Sequence, residues 1–246
     1  MKNIVSIILC SFFVATTVQA QSFSPDRPGI GNGSFITPQN MFGVEAGFQY
    51  TSTEFSDQAD IGQVLLRYGV AEKLELRALI NSYISTTFDG PVESISGFED
   101  MSVGVKYNFI EGNGNTSVSG LAEFSFPVGS DEYTNDEVVP SIVILADQSL
   151  NETWDISSNF GYNFGPGSLD DNWFYTFTPS FSFPSSESIT GYFGYAGMYF
   201  GNSFNRHWLE GGLTYALKSG AQLDVNLGYE TEGEVLFIGA GFAKGF

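Results

Sequence analysis

The sequence has few basic residues and one cysteine. Its 246 residues include 28 Asp and Glu but 9 Lys and Arg, which gives a formal net charge of −19 at pH 7. Because such a chain repels a phosphate backbone, we expect no nucleic-acid partner. Only 15% of the residues are charged, against about 25% in an ordinary soluble domain. Its cysteine, Cys10, lies in the N-terminal leader, so the exported chain is predicted to lack disulfides.

Residues 1–20 have the pattern of a secretory signal peptide. A short basic start at Met1–Asn3 precedes an apolar run over 4–14, and Val18–Ala20 supplies a small-residue cleavage site. After Gln21 no run reaches the 18 or more apolar residues that a membrane-spanning helix needs. If the exported chain crosses a membrane, it therefore has to cross as strands.

Apolar and polar residues alternate strictly in several segments of about ten residues. In residues 220–230, Leu223, Val225 and Leu227 share one face, while Gln222 and Asp224 lie on the other. The same or a weaker pattern occurs near 41–53, 60–70, 73–84, 100–109, 116–127, 137–147, 154–164, 172–183, 188–200, 206–217 and 234–246. The pattern predicts an all-β protein, a transmembrane antiparallel up-and-down barrel of about twelve strands over residues 41–246, preceded by the signal peptide.

The linkers and strand ends favour a bacterial outer membrane. Long connections tend to alternate with short ones, as they do when short turns face the periplasm and long, here acidic, loops face outside. The long ones are predicted at 54–59, 85–99, 128–136, 165–171, 201–205 and 231–233. Aromatics such as Trp154, Trp173 and Trp208 lie near strand ends, where interface girdles are expected. The terminal stripe ending at Phe246 predicts contact with outer-membrane lipid and recognition by the barrel-assembly machinery.

The polar face is predicted to line a lumen that holds most of the basic residues. Candidates for lumen or solute-binding positions are Glu45, Arg67, Glu75, Arg77, Lys106 and Glu123. Two interpretations stay open. Either these charges pair with one another and have a structural role, or they form a constriction that selects solutes.

Residues 21–40 contain three prolines and three glycines and are predicted to be irregular backbone. They form either a flexible periplasmic lead or a plug in the lumen, with Asp26 and Arg27 anchored to lumen charges. The resemblance described below favours the plug slightly.

The sequence offers little for catalysis. His207 is the single histidine and Ser203 lies four residues before it, a pair that raises the class of outer-membrane phospholipases. Such catalysts need the hydroxyl within reach of an imidazole oriented by a third group, and nothing in the pattern specifies this. We predict no enzymatic activity, no catalytic residues, no cofactor and no metal site.

Several segments in order resemble a known family. These are 24–29 (Ser-Pro-Asp-Arg-Pro-Gly), 43–50 (Gly-Val-Glu-Ala-Gly-Phe-Gln-Tyr), 66–70 (Leu-Arg-Tyr-Gly-Val), 74–77 (Leu-Glu-Leu-Arg), 100–107 and 124–129 (Phe-Ser-Phe-Pro-Val-Gly). Together they resemble the outer-membrane β-barrel family named for a meta-pathway of phenol degradation, whose members are often labelled simply "transporter". The resemblance implies an outer-membrane barrel that passes small, aromatic or hydrophobic compounds, and it supplies no catalytic assignment.

The leading hypothesis is an outer-membrane barrel that passes or binds small solutes without chemical conversion. One alternative is a closed structural or surface-interaction barrel with a salt-bridged lumen. Less favoured are the phospholipase and a secreted β-sandwich binding module, in which Trp173 and Tyr175 would stack on sugars.

Overall fold

The computed structural model describes residues 23–111, 115–167, 170–201 and 205–246. The predicted signal peptide lies outside the described residues. Within those ranges, no helix has the length and apolar character that crossing a membrane requires.

The described chain forms fourteen β-strands. They are β1 (Phe42–Ser52), β2 (Ser56–Ala71), β3 (Leu74–Ile80), β4 (Tyr83–Phe88), β5 (Ile95–Phe98), β6 (Met101–Glu111), β7 (Thr116–Phe126), β8 (Val139–Ser149), β9 (Trp154–Asn163), β10 (Asn172–Phe183), β11 (Ser186–Phe200), β12 (Arg206–Ala216), β13 (Ala221–Glu230) and β14 (Val235–Gly245).

The sheet closes on itself as a barrel with twelve strand positions. Strand β1 pairs antiparallel with β14 on one side and with β2 on the other, and these pairings close the barrel. Strands β3 and β4 both pair with β2 and together fill one position, and β5 and β6 fill the next, since β5 pairs with β4 and β6 with β3. The predicted twelve-strand antiparallel barrel is confirmed. Closure satisfies the backbone groups that an open edge would leave unpaired in hydrocarbon.

Two of the predicted loops are largely strand. Residues 54–59 were expected to connect β1 to β2, but β2 begins at Ser56 and the turn is confined to Thr53–Phe55. Residues 85–99 were expected to be a long loop, but they contain part of β4 and all of β5. Both loops were predicted because these residues lack apolar alternation. Beyond the apolar band, however, backbone pairing holds the strands together, and their side chains need not alternate between apolar and polar.

The outward face is apolar and the inward face is mostly polar, as the alternation predicted. On β13, Val225 and Leu227 are 52% and 58% exposed, whereas Asp224 and Asn226 are 4% and 7% exposed. The inward face also has an apolar patch, in which Leu121, Val143 and Leu145 are buried together. Its members occupy lumen positions between polar neighbours, so the lumen is of mixed polarity.

Candidate functional site in the lumen

Residues 23–41 enter the barrel from the end that carries the chain termini, reach the middle of the bore and return. At the entrance, the ring of Phe23 lies against Gly43 and Gly245. Midway, the N–H of Ile30 donates to Glu210 on β12 at 3.1 Å. On return, the N–H of Asn40 donates to the carbonyl of Gly69 at 2.7 Å, just before β1 begins. The segment thus lies inside the barrel across its bore.

Asp26 is the centre of the charge network that holds this segment. Its carboxylate lies 2.8 Å from Arg77 Nη1, 3.0 Å from Lys106 Nζ and 3.5 Å from Arg67 Nη1. Burial by itself raises the pKa of a carboxyl, but the charges of Arg67, Lys106 and Arg77 outweigh it and hold the pKa of Asp26 well below its usual range. Three basic side chains of the wall thus converge on this one carboxylate.

Arg67 is almost fully buried and is bound by two glutamates. Its Nη1 lies 2.8 Å from Glu45 Oε1, and its Nη2 lies 2.9 Å from Glu75 Oε2. The hairpin register places Arg67 opposite Arg77 and Glu75 opposite Gly69, so the Arg67–Glu75 contact is diagonal rather than directly across the strands. Arg67 also donates to the backbone carbonyls of Ser24 and Phe35. It thus joins the barrel wall to both arms of the N-terminal segment.

All six predicted lumen residues lie on the inner face, and five of them are buried. Arg77 contacts Glu123 at 3.6 Å as well as Asp26, and Glu123 is the more exposed partner. Lys106 pairs with Asp26 and donates to the carbonyl of Gly33 at 2.9 Å. The structure brings these residues together, while a role in binding solute stays a prediction.

Arg27 provides a second anchor, which reaches β13 and β2. Its Nη2 lies 3.3 Å from Asp224 Oδ1 on β13, and its carbonyl accepts from Gln222 Nε2 at 2.9 Å. The guanidinium occupies the space over Gly47 and Gly241, where any side chain would collide with it. These two glycines let the wall approach the segment closely.

Other wall residues bind the segment through its backbone. Asn159 on β9 accepts from Asn32 N at 2.7 Å and donates to Asn32 O at 2.8 Å. Asp147 on β8 accepts from Ser34 N at 2.5 Å, and the Ser119 hydroxyl donates to Ser34 O. Asn159, Asp147 and Ser119 were not among the predicted lumen residues. These three side chains bind main-chain groups of the segment. Every residue has such groups, so the residue types in the sequence do not predict these contacts.

The N-terminal segment lies between two cavities. The outer cavity, of about 510 Å³, is on the side away from the termini and is lined in part by Leu65, Leu121, Val143, Phe174 and Trp208. The inner cavity, of about 330 Å³, is on the side of the termini and has a polar wall. Residues that line both are Asp26, Arg27, Gly29, Gly31 and Asn32. Trp208 was predicted to lie in an interface girdle, but it faces the lumen. It lies two residues before the buried Glu210 on β12, and alternate residues of a strand point to the same face.

The loop between β7 and β8 folds against the inner side of the barrel mouth. Asp100 accepts from the N–H of Gly129 at 3.0 Å and of Asn135 at 2.9 Å, and Tyr133 OH donates to Thr86 Oγ1 at 3.0 Å. Burial raises the pKa of Asp100, but the hydrogen bonds it accepts from backbone N–H groups outweigh burial and lower it below its usual value. The Asp100 carboxylate therefore fastens this loop to the mouth of the barrel.

Glu230, the last residue of β13, is buried. It accepts from the N–H groups of Glu232 at 3.1 Å and Gly233 at 2.9 Å, so it caps the turn between β13 and β14.

His207 lies on the outward face, where its Nδ1 is 2.6 Å from the hydroxyl of Tyr195. Ser203, the serine of the weighed phospholipase pair, lies outside the described residues. Within the described part of the chain, no group of three or more His, Cys, Asp or Glu is arranged to hold a metal ion.

Comparison with known proteins supports the fold and the family. The family model described as "Putative MetA-pathway of phenol degradation" matches residues 25–244. An outer membrane channel from Pseudomonas putida F1 is 12% identical and superimposes with a TM-score of 0.72, covering 89% of this chain and 99% of that one. The KdgM porin has a TM-score of 0.55 at 12% identity, with 82% and 99% of the two chains covered.

A third solved structure, the CymD monoaromatic hydrocarbon channel, has a TM-score of 0.52 at 12% identity and covers 85% of this chain and 89% of its own. No curated protein gives a significant match. The closed sheet and its apolar outer band are those of an outer-membrane barrel, and this is where the chain resides.

Proposed function

Because the chain belongs to the phenol meta-pathway family of outer-membrane barrels, we propose that it passes or binds small solutes in its lumen without converting them chemically. The observation that carries the proposal is the pair of cavities, of about 510 and 330 Å³, separated by the N-terminal segment. Cavities of this size suit small molecules rather than polymers.

The outer cavity favours solutes with an apolar body. Leu65, Leu121, Val143, Phe174 and Trp208 supply apolar surface, while Gln63, Arg77, Glu123 and Asn163 supply polar groups at its sides. A small aromatic or hydrophobic compound with a hydrogen-bonding group fits this mixture. The similarity in fold to a monoaromatic hydrocarbon channel supports the same class.

Residues 23–41 act in this proposal as a plug. Asp26 and Arg27 fasten it to the wall by ion pairs, and Ile30, Asn32 and Ser34 bind the wall through their main chain. Passage of a solute then requires the plug to shift. Because each anchor is a discrete contact, removing one should loosen the plug without disturbing the sheet.

A second candidate is a closed structural or surface-interaction barrel, and the ion pairs favour it. The lumen cations Arg27, Arg67, Arg77 and Lys106 each have a carboxylate within 3.3 Å. Such pairing is what a permanently closed lumen needs.

Liposome swelling separates the two candidates. Proteoliposomes with the mature barrel are placed in isotonic solutions of neutral aromatics or of small sugars, and swelling is followed by light scattering. If the transport proposal is correct, proteoliposomes should swell faster than empty liposomes in solutions of neutral aromatics. No flux of any solute would contradict it and support the closed barrel.

We further propose that the barrel-assembly machinery recognises Phe246. We also propose that outer-membrane lipid covers the outward face of the barrel. Phe246 exchanges two backbone hydrogen bonds with Phe42, of 2.8 and 3.0 Å, which places it at the seam where β14 meets β1. Its side chain is 66% exposed. The Phe246→Ala variant should accumulate in the periplasm unfolded, as shown by fractionation and heat-modifiable gel migration.

A further inference from the structure

The inner cavity has a wall of one chemical kind. Every residue that lines it from β7 to β12, and Asn115 just before β7, carries a hydroxyl, amide or carboxylate group. Three of them, Asp147, Asp155 and Glu210, are acids. The outer cavity has no such uniformity, since apolar side chains line much of it. On its barrel side the inner cavity therefore offers hydrogen-bonding side chains throughout, whereas Pro25, Pro28 and Phe35 line it from the N-terminal segment.

The three acids of the inner cavity lack the pairing seen elsewhere in the lumen. Asp147 accepts from Ser34 N, Asp155 accepts from the Ser149 hydroxyl at 2.5 Å, and Glu210 accepts from Ile30 N at 3.1 Å. Among the described residues, none of the three has a Lys, Arg or His nitrogen within 4.0 Å. The single cation beside the cavity, Arg27, is paired with Asp224. The inner cavity is therefore lined by acidic side chains that have no basic partner among the described residues.

Unused hydrogen-bonding groups face the same space. Tyr192 is 8% exposed, it lines the cavity, and its hydroxyl has no partner among the described residues. The hydroxyl of Thr178 on β10 is also buried without a partner there. Buried polar groups in proteins are as a rule hydrogen-bonded, so these two hydroxyls indicate that the cavity holds a hydrogen-bonding occupant.

The strand register places Asp155 and Tyr192 in one row of inward-facing residues across neighbouring strands. Asp155 on β9 pairs with Ser180 on β10, and Ser180 pairs with Tyr192 on β11. Tyr192 pairs in turn with Gly212 on β12, and Glu210 is the next inward-facing residue along that strand. Adjacent strands are about 4.8 Å apart, so the row spans roughly 10 Å between Asp155 and Tyr192. A compact ligand can contact this row and Glu210 together.

We propose that the inner cavity binds a small hydrophilic cation that donates hydrogen bonds, at Glu210, Asp155 and Tyr192. An organic ammonium ion and a hydrated inorganic cation share this chemistry. The carboxylates compensate the positive charge, and the hydroxyls accept the remaining hydrogen bonds. This binding site goes beyond the solute passage proposed above, which concerns small aromatic or hydrophobic compounds and assigns no cation site.

Saturation-transfer NMR on the refolded mature barrel in detergent tests the proposal. Ethanolammonium and the similarly sized neutral ethylene glycol are compared at about pH 8, where carboxylates are ionised. Ethanolammonium should give a saturation-transfer signal and ethylene glycol little. Equal signals from the two compounds would overturn recognition of charge.

Variants locate the binding. Asp155→Asn combined with Glu210→Gln should weaken ethanolammonium binding about tenfold, because Asn and Gln keep the hydrogen-bond acceptors but lose the charge. Tyr192→Phe, which removes only the hydroxyl, should weaken it by a smaller factor. Glu152→Gln is the matched control, since this exposed acid lies in the turn between β8 and β9 and outside the cavity. Unchanged binding in the double variant would overturn the site.

Competition with Mg²⁺ distinguishes the sources of the cation. Displacement of ethanolammonium by millimolar Mg²⁺ at constant ionic strength supports a site that accepts inorganic cations, and no displacement supports one restricted to ammonium compounds. Heat-modifiable migration verifies that each variant is folded. Because swelling with neutral solutes does not depend on this site, failure of this proposal and failure of the transport proposal give different results.

Discussion

Arg77 Nη1 on the barrel wall lies 2.8 Å from Asp26 Oδ2 in the segment that crosses the bore. The contact matters because Lys106 and Arg67 approach the same carboxylate from β6 and β2. One acidic side chain therefore compensates three cations of the wall. Its loss would leave positive charges close together at a buried site, which is strongly unfavourable.

Asp26→Asn should release the N-terminal segment. Breaking a buried ion pair costs about 3–5 kcal/mol, and here the cost falls on the anchoring of the segment rather than on the sheet. We expect a larger single-channel conductance in planar bilayers than for the wild type, with unchanged heat-modifiable migration. Asp89→Asn, in an exposed loop, is the control and should conduct like the wild type. Equal conductance of Asp26→Asn and the control would argue against anchoring by Asp26.

Gly241→Ala should displace Arg27. A β-carbon at Gly241 would overlap the Arg27 guanidinium, which could then no longer reach Asp224. We expect a loss of about 1–3 kcal/mol in the free energy of unfolding, as in other overpacked sites, and an increase in conductance. Gly201→Ala is the control, because a β-carbon there meets no atom of the described residues within 4 Å. Denaturant unfolding of the two variants in the same detergent gives the comparison.

Asp100→Ala should free the loop between β7 and β8 from the mouth of the barrel. The carboxylate accepts hydrogen bonds from two backbone N–H groups of that loop. Without the carboxylate, both N–H groups would bind only water. Limited proteolysis should then cut faster within residues 129–137, while the barrel stays intact. Wild-type cleavage rates in the variant would show that other contacts, such as Tyr133 to Thr86, are sufficient.

The same contact has a predictable pH dependence. Because the pKa of Asp100 is lowered in the folded state, its stabilisation is present above the unfolded value of about 3.9 and is lost as pH falls through the folded value. The wild-type loop should therefore resist proteolysis by acid-stable proteases at about pH 5, and become sensitive only below about pH 3.9.

Val225→Arg should destabilise the barrel in a bilayer. Val225 lies at the middle of β13 on the outward face, where an arginine at the membrane midplane costs about 2–4 kcal/mol. Thr87→Arg is the control, since Thr87 is exposed on β4, in the part of the sheet that continues beyond the apolar band. Unfolding by urea from phosphatidylcholine vesicles measures both. Equal effects of the two substitutions would contradict lipid contact at Val225.

The sequence was sufficient for the barrel because the physical signal repeats along the chain. Alternation at Leu223, Val225 and Leu227 recurs in each strand that crosses the apolar band, and twelve such segments gave the strand number. The sequence was insufficient where a strand has no apolar face, because the strand then shows no alternating pattern. The extensions into β4 and β5 have side chains such as Ser85, Thr86 and Thr87, which look like loop residues.

For the lumen, the sequence predicted which residues gather there but not which of them pair. Arg67, Glu75 and Glu45 were expected to interact and do so. Lys106 was expected to pair with a wall glutamate, yet it pairs with Asp26, because the N-terminal segment occupies the space between the walls. The path of an irregular segment depends on many contacts, including main-chain ones to Glu210 and Asn159, that no local pattern encodes.

Deletion of residues 22–37 tests the central claim most directly, because it removes the crossing segment and leaves every strand in place. Single-channel conductance of the deletion variant is compared with that of the full mature barrel in planar bilayers, after both pass the heat-modifiability check. If the segment closes the bore, the deletion variant conducts several-fold more and Asp26→Asn falls between the two. Conductance equal to that of the full mature barrel would contradict the account.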